Sequence, residues 1–234
     1  MESTSRKNFF AHLLQLAAAL SIIGTSLALP AFADDLNYVV IVDPSGLSGT
    51  NGFMDIQFNP GALPGTQLAF AEMEQPNSWL QGIPGTETTM GSAYYSPSFG
   101  SVQWENTTPF NDYFQPLIFG SAPDYFFLDF SGPALETPDG TSTSGSSFSL
   151  SFFDDNLNPV LTNNPDGFAA IININLDGTG TPETFPNTDG GPPAVTVIDR
   201  NAPPPPTVPE PSTLLLLATG LSGVIGLARK RAHQ

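Results

Sequence analysis

Residues 147–152 read SFSLSF, and this strict alternation of apolar and polar side chains decides the fold class. Successive side chains of a β-strand point to opposite faces, so Phe148, Leu150 and Phe152 are predicted to face a core while the serines face outward. Seven further stretches carry an alternating or strongly apolar strand pattern, most of them separated by Pro, Gly, Asn or Asp. They lie at 37–42, 53–58, 67–70, 102–104, 124–130, 170–176 and 195–197.

About eight short strands without a long helical pattern predict an all-β body, an antiparallel β-sandwich of jelly-roll type. Within it, Leu68 and Phe70 alternate with more polar or smaller neighbours, which predicts that they face the core. Trp104 alternates with charged Glu105 and is predicted to be buried. Residues 110–114 are the one short stretch for which we expect a single helical turn.

Charge divides the chain into an acidic body and two basic ends. The stretch from Asp34 to Pro209 contains 20 acidic side chains and only Arg200 as a base, a side-chain charge of −19. Such a surface repels phosphate backbones, so we expect no nucleic-acid partner. Self-repulsion also keeps an acidic protein soluble, and acidic side chains outside the cell can bind divalent cations.

The residue types of the body exclude most catalytic chemistry. The chain has no Cys, and its only histidines, His12 and His233, lie in the terminal segments. The body also lacks Lys. Without Cys, His and Lys it cannot form Ser-His-Asp or Cys-His centres, lysine Schiff bases, or His or Cys zinc sites. Two carboxylates could still hydrolyse a glycosidic bond, but no pair is marked among the acidic residues, and we predict that the protein is not an enzyme. The candidates are Glu72, Glu74, Glu87, Glu105, Asp154 and Asp155.

The N-terminus has the three parts of a secretory signal peptide. Arg6 and Lys7 precede a mostly apolar stretch, and Ala31-Phe32-Ala33 supplies the small-x-small pattern that signal peptidase accepts. We therefore predict a signal peptide over residues 1–33, with cleavage after Ala33. A retained membrane anchor is the alternative.

The C-terminus combines a Pro-flanked acid, an apolar run and a basic cluster. The run, 213–228, has 16 residues, so a helix there would reach roughly 24 Å, a short single membrane span. Arg229, Lys230 and Arg231 follow it and would stay cytoplasmic by the positive-inside rule, with the body outside. Prolines at 209 and 211 keep the segment before the run extended and accessible.

This tail resembles a PEP-CTERM sorting segment. The motif residues are Val208, Pro209, Glu210, Pro211 and Ser212, followed by the Leu- and Gly-rich run and the basic stop cluster. The resemblance implies an envelope protein of a Gram-negative-type bacterium, processed near Pro-Glu-Pro by exosortase, a membrane-embedded cysteine transpeptidase. It also implies a frequent link to exopolysaccharide and biofilm.

The body resembles an uncharacterised secreted family that often carries such tails, and the resemblance implies no particular activity. It rests on residues 42–49, 110–114, 131–135, 164–167 and 175–179. Before the tail, four consecutive prolines favour an extended spacer. The predicted organisation is a signal peptide at 1–33, a β-sandwich at 34–199, a Pro-rich linker at 200–207 and a sorting and anchor segment at 208–231.

Two groups of residues are candidate binding sites, and each also has a simpler structural interpretation. Asn173, Asn175 and Asp177 have the opening spacing of a calcium loop, but Thr184 stands where a bidentate Glu belongs, and a strand followed by an Asp-Gly turn explains the pattern more simply. Trp79, Tyr94 and Tyr95 could stack on sugar rings, although aromatic side chains are more often part of a core.

The sequence as a whole predicts an exported, acidic protein with a structural or interaction role in an exopolysaccharide matrix. Its expected partners are signal peptidase, exosortase, the inner membrane before processing, and exopolysaccharide. We expect no cofactor, and the one candidate would be a calcium ion at the Asn173 loop. The alternatives are a glycan-binding module and, behind it, a carboxylate-based glycoside hydrolase.

Overall fold

The computed structural model describes residues 35–44, 46–62, 65–74, 78–83, 85–138 and 141–202. The predicted signal peptide, with Ala31 and Ala33, and the predicted sorting segment lie outside these ranges. The described ranges contain thirteen strands and a one-turn helix, α1, at Pro133–Glu136. The strands are β1 (Leu36–Val42), β2 (Asn51–Asn59), β3 (Phe70–Glu74), β4 (Thr88–Met90), β5 (Tyr94–Ser96), β6 (Ser101–Glu105), β7 (Asp112–Ile118), β8 (Asp124–Ser131), β9 (Ser146–Asp154), β10 (Pro159–Val160), β11 (Phe168–Ile174), β12 (Gly180–Thr184) and β13 (Val195–Asp199).

The strands form two antiparallel sheets. Sheet A has the order β13-β1-β8-β3-β6-β5, and sheet B has the order β12-β11-β9-β2-β7-β4, with β10 paired to β9. The first strand of the body pairs with both the last strand and β8, so each sheet is built from strands that are far apart in the chain. This arrangement confirms the predicted all-β sandwich.

The SFSLSF strand, β9, occupies the middle of sheet B as its alternation predicts. Phe148, Leu150 and Phe152 are at most 2% exposed and face the core. Inward residues of β2 lie beside them in register, with Met54 opposite Phe152 and Phe58 opposite Phe148. The period-2 pattern of these two strands therefore places one continuous apolar layer on the inner face of the sheet.

Aromatic rings join the two sheets through the core. Trp104 of sheet A, confirmed as buried, packs edge-on against Phe148 and Tyr113 of sheet B, with ring centroids 6.0 and 6.3 Å apart. Phe130 of sheet A makes a similar edge contact with Phe148 at 5.8 Å. Edge-to-face pairs add to the free energy gained by burial, and they hold this Cys-free body together by packing.

Two buried asparagines organise the loops at the strand ends. Asn106 accepts a hydrogen bond from the backbone N–H of Ala69 and donates to the carbonyl of Gln67 and to Ser146 Oγ. Asn111 donates to the carbonyl of Phe58, and its amide oxygen accepts from the N–H of Ser92. Each side chain replaces strand pairing where the backbone turns, so its amide is part of the fold.

Residues 110–114 do not form the helical turn that was expected there. Instead they lead into β7, in which Tyr113, Gln115 and Leu117 are buried on alternate positions. The polar Gln115 interrupts the apolar pattern, but Tyr113 Oη donates to its Oε1 atom, which satisfies it inside the core. Strand pairing with β2 over the whole of β7 outweighs the local signal.

The orientation predicted for β3 is also wrong. Ala69, Ala71 and Met73 face the core, whereas Leu68 and Phe70 are only half-buried. Phe70 instead lies on the outer face and packs against Gly132. A Cβ atom added to Gly132 would stand only 2.9 Å from Phe70 Cδ2. The estimate of about eight strands was too low because β4, β5, β7, β10 and β12 lack a clear apolar period.

Candidate functional site

A row of polar side chains crosses the outer face of sheet A. The register places Asn37 of β1 opposite Asp129 of β8, Asp129 opposite Glu72 of β3, Glu72 opposite Gln103 of β6, and Gln103 opposite Tyr94 of β5. The chain neighbours of these residues, such as Tyr38, Leu128 and Trp104, are buried, so the row itself points away from the core. We call these five residues the polar row.

The polar row forms part of an open groove of about 630 Å³. Asp35, Phe70, Ser92, Glu105 and Ser131 also line this groove. Gln103 Nε2 donates to Glu72 Oε1 at 2.9 Å, which orients both side chains. The groove therefore combines carboxylates, amides, hydroxyls and aromatic rings on a rigid sheet.

Arg200 closes one end of the polar row. Its Nη1 atom lies 3.6 Å from Asp129 Oδ1, and its guanidinium carbon lies 4.9 Å above the centre of the Phe127 ring. The backbone N–H of Arg200 donates to the carbonyl of Asn37, which fixes the segment just after β13 to the sheet. The single basic residue of the acidic body is thus used to hold a groove carboxylate.

The environment of Asp129 favours its protonated form. Burial raises the pKa of Asp129 above its ordinary value, Arg200 opposes this rise, and the negative charges of Glu72 and Asp35 add to it. The pKa of one groove carboxylate is thus shifted away from the ordinary value by its burial and by its neighbours.

Only one of the three predicted sugar-stacking aromatic residues lies in the groove. Tyr94 is 63% exposed and stands at the end of the polar row on edge strand β5. Tyr95 follows it directly in the strand and so faces the other way, with its ring 5.8 Å from Tyr113. Burial, and then the charge of Glu87, raise the pKa of the Tyr95 hydroxyl.

Trp79 lies elsewhere and packs against the core. It begins a short 3-10 turn, Trp79–Gln81, capped by the Ser78 hydroxyl, which accepts from the N–H of Leu80. Its ring centre lies 6.0 Å from that of Phe119, and a Cβ atom on Gly120 would stand 2.3 Å from its Cδ1 atom. Trp79 is absent from the lining of the groove.

The loop predicted to bind calcium forms the β11–β12 hairpin turn. The N–H of Gly178 donates to the carbonyl of Asn175, and Asn175 Nδ2 donates to the hydroxyls of Thr179 and Thr181. Asp177 Oδ1 accepts from the N–H and hydroxyl of Thr179, and these bonds lower the pKa of Asp177. Asn173 is exposed on β11. The polar side chains of Asn175 and Asp177 are therefore engaged in the turn.

The carboxylates proposed from the sequence are spread over the molecule. Of that set only Glu72 and Glu105 line the groove. Asp154 shapes the β9–β10 turn, where its carboxylate accepts from the backbone of Asn156 and from the backbone and side chain of Asn158. These bonds lower the pKa of Asp154. No group of three His, Cys, Asp or Glu side chains suited to a metal ion occurs within the described ranges.

A pair of carboxyl groups that sequence reasoning missed lies on the outer face of sheet B. Asp55 of β2 and Asp112 of β7 are diagonal neighbours, because Asp55 pairs with Phe114 and Asp112 pairs with Gln57. Both Oδ1 atoms are buried and lack a conventional hydrogen-bond donor. Burial, and then hydrogen bonding and repulsion from Asp55, raise the pKa of Asp112 to about 8.

The polar row was missed because it is formed across strands. Asn37, Gln103 and Asp129 are isolated polar residues in their own segments, and no local motif joins them. The available signal was their common position, since each is an outward residue in an alternating strand. This signal identifies the polar row only together with the strand order of sheet A, in which β8 and β3 are neighbours.

Comparison with protein families identifies the C-terminal segment. Residues 207–231 match the family model described as the PEP-CTERM protein-sorting motif. The chain carries a PEP-CTERM sorting motif. This confirms the assignment of the tail, and it implies an extracellular protein that is sorted by an exosortase.

No curated protein and no solved structure matches the chain. The likeness of the body to an uncharacterised secreted family stays a prediction. Within the part of the chain that the structure describes, no helix is long and apolar enough to cross a membrane.

Proposed function

We propose that this PEP-CTERM protein is a non-catalytic component of an exopolysaccharide matrix, and that its body binds glycan through the groove on sheet A. Signal peptidase removes residues 1–33, and residues 208–231 hold the chain in the inner membrane, body outside, until exosortase processes it. The sorting motif supports delivery to the envelope. The groove supports a role there.

The polar row is the observation that carries this proposal. Neighbouring strands lie about 4.8 Å apart, so five side chains across five strands extend over roughly 19 Å. The spacing between neighbouring strands is close to the length of one sugar ring in an extended polysaccharide. Each strand therefore offers one polar or aromatic side chain per sugar. Amides and carboxylates of Asn37, Gln103 and Glu72 suit hydroxyl groups, and the exposed ring of Tyr94 suits the flat face of a sugar.

The test is glycan binding by the mature protein recovered from its native envelope. Immobilised neutral, acidic and amino polysaccharides would be compared by surface plasmon resonance. We expect Tyr94→Ala to weaken binding about 3- to 10-fold, the equivalent of about 0.5–1.5 kcal/mol for one aromatic contact.

Tyr125→Ala is the matched control, because Tyr125 is an exposed tyrosine of β8 that does not line the groove. Its affinity should equal that of the unmodified protein. If no polysaccharide binds, or if both tyrosine variants weaken binding equally, the proposal is refuted.

Glycoside hydrolysis is a second candidate, favoured by one observation. Asp129, whose pKa is raised by burial, lies directly across the strand pair from Glu72, and such hydrolysis uses two neighbouring carboxyl groups, one of which has a raised pKa. Release of reducing ends from a bound polysaccharide, abolished by Glu72→Gln, would establish it. Binding without any release would leave the non-catalytic function.

A further inference from the structure

We propose that the groove on sheet A selects a polysaccharide bearing protonated amino groups over neutral and uronic-acid polysaccharides. This inference rests on the proposed glycan-binding function and adds the chemical class of the ligand. Four carboxylates line the groove, and among its described lining residues none is Lys, Arg or His. The four are Asp35, Glu72, Glu105 and Asp129.

Arg200 compensates for only a small part of this negative charge. It is the nearest base in the described body, and it is held between Asp129 and the Phe127 ring at one end of the polar row. Glu72 lies one strand further in, with Gln103 as its hydrogen-bond donor. Glu105 lies two residues along β6 from Gln103, on the same face of the sheet and opposite Phe70.

The position of these acids determines which sugar substituent is stabilised. An ammonium group on a sugar above β3 would approach Glu72 and Asp129 together, where the sheet limits access of solvent and salt. A uronic acid in the same place would add a like charge to the pair, and an acetamido group would gain no ionic contact.

The shape of the groove favours a glycan over a basic peptide as the source of the cation. The polar row runs across the strands and ends on the exposed ring of Tyr94. Its two acids, Asp129 and Glu72, are neighbours, and neutral hydrogen-bonding side chains lie on both sides of them, whereas a basic peptide would need no amides. One ionic position flanked by neutral positions fits a polysaccharide in which only some units carry a free amine.

The experiment compares two oligosaccharides that differ only in N-acetylation. A β-1,4-linked glucosamine hexamer and its fully N-acetylated form would be titrated by calorimetry into the mature protein at pH 6 and low salt. We expect the amine to bind at least about fivefold more tightly, as two partly exposed ion pairs would give. The difference should shrink as salt is added.

Charge variants separate the groove from the general acidity of the body. Glu72→Gln should remove most of the preference for the amine hexamer over the acetylated hexamer. Glu183→Gln, which makes the same change of charge on edge strand β12 of the other sheet, should retain the preference.

Equal or tighter binding of the acetylated hexamer would overturn the amino-sugar selection but leave the glycan-binding function intact. Equal loss of preference in both charge variants would also overturn it, because bulk charge would then be sufficient. A lysine oligomer that binds as tightly as the amine hexamer, with the same loss in Glu72→Gln, would refute recognition of a sugar. Failure of both hexamers and all polysaccharides to bind would refute the proposed function itself.

Discussion

Replacement of Asp112 by Asn should make the unfolding free energy of the body less dependent on pH. In the native sheet, the carboxyl groups of Asp55 and Asp112 are neighbours, each with a buried Oδ1 atom, and a proton shared between them removes the repulsion. Asparagine keeps the shape and can donate its amide hydrogen to Asp55 without a proton to lose. The variant thus removes the titration while preserving the contact.

The sign follows from where the proton is bound. The folded protein retains it up to about pH 8, whereas the unfolded chain releases it near 3.8. The unfolding free energy therefore falls as pH rises from about 4 to 8 and levels off above that. At about 1.36 kcal/mol per pH unit the upper limit is about 6 kcal/mol, and because the half-buried pair is partly screened by solvent we expect about 2 kcal/mol.

The assay is urea unfolding followed by tryptophan fluorescence at pH 5, 7 and 9. Asp112→Asn should exceed the unmodified protein by only a small margin at pH 5, where the unfolding free energy has just begun to fall, and by about 2 kcal/mol at pH 9. Asp155→Asn, at an exposed turn, controls for the general loss of one negative charge. Parallel pH profiles for the unmodified protein and Asp112→Asn would refute the shared proton.

Three further changes probe the fold and the predicted ion site. Asn106→Ala should lower the unfolding free energy by about 3 kcal/mol, because it leaves two buried partners and one partly buried partner unsatisfied, whereas an unchanged urea midpoint would contradict that role. Leu157→Gly should raise the unfolding free energy by about 0.5–1 kcal/mol, since Leu157 has φ 62° and is 58% exposed. Leu176→Gly changes an exposed leucine without positive φ and should lower the unfolding free energy. Equal effects of the two substitutions would argue against backbone strain at Leu157. Millimolar calcium should leave the melting temperature unchanged, because Asn175 and Asp177 already bond within their turn. A calcium-dependent rise in melting temperature that disappears in Asp177→Asn would instead support the predicted ion site.

The sequence predicts the sandwich because burial imposes period 2 on the central strands. SFSLSF and the Met54, Ile56 and Phe58 alternation each place their apolar residues on the face that the structure buries. Short edge strands carry no such constraint. Both β4 and β12 are largely exposed and could not be recognised from apolar spacing.

The failures at β3 and β7 have a common physical cause, since tertiary contacts overrode local apolarity. In β3 the small Ala71 is buried between its strand partners Trp104 and Phe130, and the larger Phe70 lies on the groove face. In β7 the core accepts Gln115 because Tyr113 satisfies it. Neither compensation is local, and neither could be found from one segment alone.

The candidate site was predictable only in part. Tyr94 and Glu72 were recognised as residues capable of binding sugar or acting as carboxylates, but nothing in the sequence joined them. Antiparallel pairing brings them within one row through Gln103, which is 31 residues away from Glu72 along the chain. Residue types thus indicated the chemistry, and the strand order supplied the site.

Mass spectrometry of the mature protein from its native envelope tests the central claim of export and sorting most directly. The account predicts an N-terminus at Asp34 and a C-terminus near Pro-Glu-Pro, without the apolar run and the basic residues Arg229, Lys230 and Arg231. A mature protein that retains an intact 209–234 segment would contradict exosortase processing.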